Sequence, residues 1–165
     1  MFAPALLAQS GWFSGDKELE ATAWRKSNGD FKAMLFLSTD PQQVYSDWNQ
    51  GKAPKFSQLK SVRDSQNVEA IILFAGCERS VKPTCDIVGD WIIKVKNGEV
   101  LDEVKDSPIY SGPSPVIEDQ LLISTNAVGI KASQSDQQYT LIVTLKDRNS
   151  ERKITLQQSV EVAVE

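Results

Sequence analysis

Apolar and polar residues alternate most regularly near the C-terminus, where Ile154, Leu156, Val160, Val162 and Val164 interleave with Lys153, Thr155, Gln157, Ser159 and Glu161. A period of two sends successive side chains to opposite faces, so residues 152–164 are expected to form a strand with one face on a core and one in water. Residues 138–147 are expected to form a second strand, and residues 68–75 and 87–95 are apolar runs with the β-branched content of strands. Residues 31–38 differ: Ala33, Leu35 and Leu37 share one face while Met34 and Phe36 share the other, so both faces need cover.

Helical spacing enters after Thr39-Asp40-Pro41, which supplies an N-cap and a first-turn proline. Val44, Tyr45 and Trp48 then predict a short helix over residues 40–50 that lays one stripe on the sheet and stops at Gly51. Asn97-Gly98 predicts a type I′ hairpin, and Asp147-Arg148-Asn149-Ser150 a second hairpin in which Asn149 is able to tolerate positive φ. Pro108, Pro113 and Pro115 are expected to break any regular element over residues 108–115, with short strands at 119–125 and 128–132. Residues 52–67, with Pro54, Phe56 and Leu59 among many polar side chains, read as a long connection.

About eight short strands with one helix predict a mainly β protein, an immunoglobulin/fibronectin-III-like antiparallel two-sheet sandwich with one short helix after the first strand. Tyr139, at the start of the penultimate strand and just past the turn-like residues 133–136, resembles the tyrosine corner of such sandwiches; a plain buried tyrosine is the other reading. A chain of 165 residues fills one core and leaves little for a second. Residues 30–165 are read as the sandwich domain and residues 1–29 as an N-terminal extension, polar and turn-like over 11–29. Met1 to Ser10 looks like the end of an apolar export segment that lacks a basic region; a packing helix using Leu6, Leu7, Trp12 and Phe13 is the alternative. No apolar run approaches the ~18 residues of a transmembrane helix.

Cys77 and Cys85 stand at the two ends of one connection between apolar runs. That placement brings α-carbons into disulfide range, predicts a Cys77–Cys85 bridge, and with it an oxidising compartment, periplasmic or secreted. The absence of histidine removes the commonest general base, triad partner and zinc ligand. No cofactor or metal is implied. With 22 acidic against 18 basic residues and a formal net charge of −4, phosphate-backbone binding is disfavoured, so no nucleic-acid partner is expected.

Three function classes follow. The first is a non-catalytic interaction or structural domain of the cell envelope, recruiting a partner by strand addition at an exposed edge such as the final strand. The second is a carbohydrate-binding module: of the aromatic residues, Trp91 is expected in the core and Trp48 under the helix, which leaves Trp24 and Tyr110 as ligand-contact candidates. The third is a carboxylate-dependent hydrolase, which needs two acids facing each other across a cleft. Asp86, Asp90, Asp102, Glu103, Asp106, Glu118 and Asp119 could offer oxygen ligands to calcium, but no Asp-rich calcium loop is present and solvated turns explain them.

The succession Phe31 to Leu37, Asp40-Pro41 with Trp48, Leu73 to Cys77, Cys85-Asp86, and Asp90 to Ile93 with Asn97-Gly98 resembles a family of small exported proteins of Gram-negative bacteria with an immunoglobulin-like β-sandwich. The resemblance covers residue 30 to the C-terminus. It implies the compartment and the disulfide, and it carries over no activity and no catalytic residue.

Overall fold

The computed structural model of the protein describes residues 11–14, 16–52, 58–79, 83–115 and 120–164. Its strands, in chain order, are β1 (Trp12–Ser14), β2 (Lys17–Leu19), β3 (Arg25–Asn28), β4 (Phe31–Ser38), β5 (Ser61–Val62), β6 (Asn67–Ala75), β7 (Thr84–Val95), β8 (Val100–Pro113), β9 (Leu122–Ile123), β10 (Val128–Lys131), β11 (Gln138–Asp147) and β12 (Lys153–Val162). Helix α1 (Pro41–Asn49) follows β4, and a short 3-10 turn covers Gln134–Asp136. One five-stranded sheet runs β10-β6-β4-β3 with β9 also on β6; the other runs β5-β12-β11-β7-β8. All pairings are antiparallel except β5 with β12. The two sheets pack as a mainly β sandwich.

The core between them follows the alternation of the sequence: Ala33, Leu35 and Leu37 of β4, Val68, Ala70, Ile72 and Phe74 of β6, Ile87, Trp91 and Ile93 of β7, and the inward rows of β11 and β12. Met34 and Phe36 point the other way and join Ile71, Leu73 and Trp12 in a second cluster. Val44, Tyr45 and Trp48 of α1, with Leu19 and Trp24, cover that cluster. The helix starts where its cap residues dictate, with the Asp40 carboxylate accepting from the Gln43 backbone N–H at 3.2 Å.

Several local expectations are corrected. Residues 11–29 hold β1, β2 and β3, and β3 pairs with β4 through Arg25↔Met34 to Asn28↔Phe31, so the line drawn at residue 29 falls inside a hairpin. Three short strands therefore precede the one that leads into α1. Their shortness hid them: β1 and β2 pair with each other, and the polar β3 is set by its pairing with β4. Residues 108–115 do not break the sheet: Pro108 and Pro113 lie within β8, an edge strand whose pairing with β7 shifts register three times. An edge tolerates proline because half of its backbone groups need no partner. At the β7–β8 turn only Gly98 takes positive φ (86°), which excludes the type I′ turn and fits a glycine bulge after a type I turn. In the β11–β12 turn Glu151, not Asn149, takes positive φ (62°). The strand expected at 119–125 is reduced to β9, with residue 119 outside the described set. Residues 1–10, and with them the export-segment and packing-helix readings, also lie outside it, as do Pro54 and Phe56.

Candidate functional site

Cys77, just past β6, and Cys85, on β7, form a disulfide with α-carbons 5.7 Å apart. Both are buried in the core, so the bridge ties the end of one sheet to the start of the other. A buried carboxylate secures the same end of the sandwich. Asp147 accepts from the Glu78 N–H at 2.8 Å, the Ser150 hydroxyl at 2.9 Å and the Asn149 N–H at 3.0 Å. The Asn149 side chain then donates to the Thr84 carbonyl at 2.9 Å. Gly76 lets the chain turn here at φ 75°; a Cβ would sit 1.8 Å from the Asp30 carbonyl oxygen.

At the opposite end of β11, Tyr139 is buried, accepts from the Ser133 N–H at 2.9 Å and donates to the Asp136 carboxylate. Burial, then the hydrogen bond to Asp136, push its phenol up to about 12. The phenol thus bonds back to the backbone just upstream of the penultimate strand. Beside it lies an amide-rich groove of about 510 Å³ lined by Lys96, Gln134, Gln137, Gln138, Glu161, Val162 and Val164.

The two aromatic candidates are not brought together. Tyr110 belongs to β8 and packs edge-on against Phe74 at 5.3 Å between centroids, its hydroxyl donating to the Pro113 carbonyl. Trp24 is half-buried in the outer cluster, and the Arg25 guanidinium stands 4.9 Å from its ring centroid. One ring face is thus occupied, and Trp24 and Tyr110 share no aromatic platform. Trp91 and Trp48 take the core and helix-anchoring positions expected of them.

Trp24 nevertheless lines a side pocket of about 220 Å³ with Ala23, Gln58, Leu59, Lys60, Gln157, Gln158 and Ser159. Gln158 stands in the inward row of β12 opposite Leu141, is 7% exposed, and its Oε1 is buried without a hydrogen-bond partner. An unpaired buried acceptor costs about 1–3 kcal/mol. Sequence reading passed over this residue; its signal was one amide in the aliphatic series Ile154, Leu156, Val160, Val162.

The final strand does not offer a free edge. Gln157, Glu161 and Ala163 donate their N–H groups to the carbonyls of Ala23 (2.7 Å), Lys60 (3.0 Å) and Val62 (2.7 Å), and Asn28 caps the Lys153 carbonyl. The edge strand β8 differs. Thr125 and Asn126 bond its Ile109 and Pro108 carbonyls, while residues 96–106 are all exposed, with Val100 at 49%, Leu101 at 53% and Val104 at 40%.

The acidic candidates are spread through this region and engage cations or backbone. Asp90 accepts from the Asp106 N–H at 2.8 Å and pairs with Lys146 at 3.0 Å, which lower its pKa in that order. Asp106 holds the same ammonium at 2.6 Å, and Asp86 lies 3.9 Å from Arg148. Asp102 accepts from the Glu103 N–H, and Glu103 lies 4.0 Å from Lys105. Among the described residues no group of three or more His, Cys, Asp or Glu is gathered for a metal; Glu118 and Asp119 lie outside that set. Among the same residues no helix is long and apolar enough to cross a membrane.

No family model and no curated protein matches the chain. Among solved structures it is similar to a family 123 glycoside hydrolase from Clostridium perfringens, at TM-score 0.46 and 12% identity over 79% of this chain. That likeness spans 27% of the hydrolase's length. It is also similar to a Northeast Structural Genomics Consortium target at TM-score 0.34 and 10% identity, over 82% of this chain and 92% of that one. Likenesses of this strength carry no argument about activity.

Proposed function

We propose that this protein is a non-catalytic interaction domain of the periplasm or cell exterior, with an immunoglobulin-like sandwich that engages a protein partner through the exposed half of β8. The observation that carries this reading is the run of exposed residues 100–106 on an edge strand, including Val100, Leu101 and Val104. An unpaired edge with apolar side chains is a template for strand addition. Asp102, Glu103 and Asp106 against Lys105 make it acidic, which favours an extended basic segment over a second copy of itself. The immunoglobulin-like assignment is supported by the β12-β11-β7-β8 order, β5 parallel to β12, Trp91 buried on β7 and the Tyr139 corner. Its disulfide differs from the usual inter-sheet bridge between the second and penultimate strands.

The test compares capture of partners from a periplasmic extract by the wild-type chain and by a Val100→Lys/Leu101→Lys double variant, with the captured protein then titrated in purified form. Binding weakened about tenfold by the two edge charges is expected; equal binding by both overturns the edge reading. The compartment rests on the Cys77–Cys85 bridge and the resemblance to exported proteins. Alkylation of unreduced protein isolated from its native compartment is expected to leave both cysteines unmodified.

A further inference from the structure

The side pocket beside β12 is where the alternation of the sheet is interrupted. Ile154, Leu156, Val160 and Val162 are aliphatic and buried, and between them Gln158 carries an amide into the same row. An aliphatic side chain there would match the binary pattern and leave no acceptor unpaired, so the amide works against the stability of the fold alone. It lines a cavity of about 220 Å³, which holds one ring and not a chain of them.

We propose that this pocket binds a single sugar residue, with the Gln158 side-chain amide hydrogen-bonding a ligand hydroxyl. The lining matches that chemistry. Gln58, Gln157 and Gln158 each present a donor and an acceptor, as a sugar hydroxyl does, and Trp24 and Leu59 supply apolar surface for the C–H groups of the ring. Among the described lining residues Lys60 alone is charged, which suits neutral or acidic sugars and gives a cationic ligand no counter-charge there. An extended peptide is the wrong shape for it. The main chain of β12 alongside is already used by Ala23, Lys60 and Val62, which leaves no ladder for a strand to join there. The Arg25 guanidinium stands 4.9 Å from the Trp24 ring centroid, a cation–π contact that helps hold the ring.

The experiment is a titration of the full chain with glucose, N-acetylglucosamine and glucuronate, following the Trp24 indole N–H and the Gln158 side-chain amide by NMR. Saturable, millimolar shifts of both signals are expected with at least one of the three. Gln158→Leu is expected to weaken that binding about tenfold or more while its thermal midpoint equals or exceeds the wild-type value, since an unpaired acceptor has been removed. Absence of saturable shifts with all three sugars overturns the proposal. So does wild-type affinity in Gln158→Leu, or a lowered midpoint with affinity unchanged. Should Gln158→Leu not fold, Lys60→Ala on the exposed rim serves instead. It is expected to weaken the sugar that binds, and unchanged affinity overturns the proposal.

Discussion

The two sheets of the sandwich are made of similar residues and treated differently by the rest of the chain. The sheet of β4 and β6 is buried on both faces: Leu35 and Ile72 look into the inter-sheet core, while Phe36 and Ile71 lie under α1 and the N-terminal strands. The sheet of β11 and β12 is buried on one, with Leu141, Val143 and Leu145 inside and Thr140, Ile142 and Thr144 half-exposed outside. The difference shows in the sequence as texture, a continuous apolar run in β6 against an alternation in β12 broken only at Gln158. It shows in function as access. The doubly covered sheet is the less reachable of the two, and β8, the edge left open, belongs to the singly covered one.

The sharpest way to break this comparison is a matched pair of isoleucines facing outward on the two sheets. Ile71→Ala is expected to cost about 3–4 kcal/mol, because it opens a cavity under α1. Ile142→Ala, at a half-exposed position, is expected to cost about 1 kcal/mol. Urea unfolding of both variants decides it, and equal costs would mean that the outer layer does not pack. The next effect concerns the bond between the sheets. A Cys77→Ala/Cys85→Ala variant is expected to lose about 2–3 kcal/mol, as closing so short a loop restricts the unfolded chain, and to unfold in one transition. Two separate transitions would show that the sheets are independent units.

The smallest of the three sits at one end of the second sheet. Tyr139→Phe leaves the Ser133 N–H without its acceptor, and a loss of about 1–2 kcal/mol is expected. The phenol titrates near 12 in the folded protein against 10 in an ordinary tyrosine. Folding therefore favours the protonated form, and this contribution is complete below pH 10 and declines as pH rises from 10 toward 12. The variant should flatten that alkaline decline in a series of unfolding curves. A decline of equal steepness in both proteins would remove Tyr139 as its source.

Legibility followed how local each feature is. Residues 138–147 coincide with β11, and α1 begins at Pro41 behind the Asp40 cap, because period and capping are properties of a few neighbouring residues. β1, β2 and β3 were not legible, since strands of three or four residues carry too little periodicity to read and form only against a partner, β1 with β2 and β3 with β4. β8 was hidden by prolines that an edge tolerates. Of the candidate residues, Trp24 lines a pocket, but through the neighbourhood of Gln58 and Gln158, residues distant from it in sequence. Tyr110, among prolines that point away from regular structure, stands in a strand against Phe74.

By itself the sequence determined the β character, the inward rows of β4, β6, β7 and β11, the helix α1 and which cysteines could meet, because each depends on spacing along the chain. Tertiary structure decided which sheet is covered twice, that β12 is closed by Ala23 and Lys60 while half of β8 stays open, and that Gln158 lacks a partner. These depend on where distant segments come to rest, and no periodicity within a strand records what packs across it.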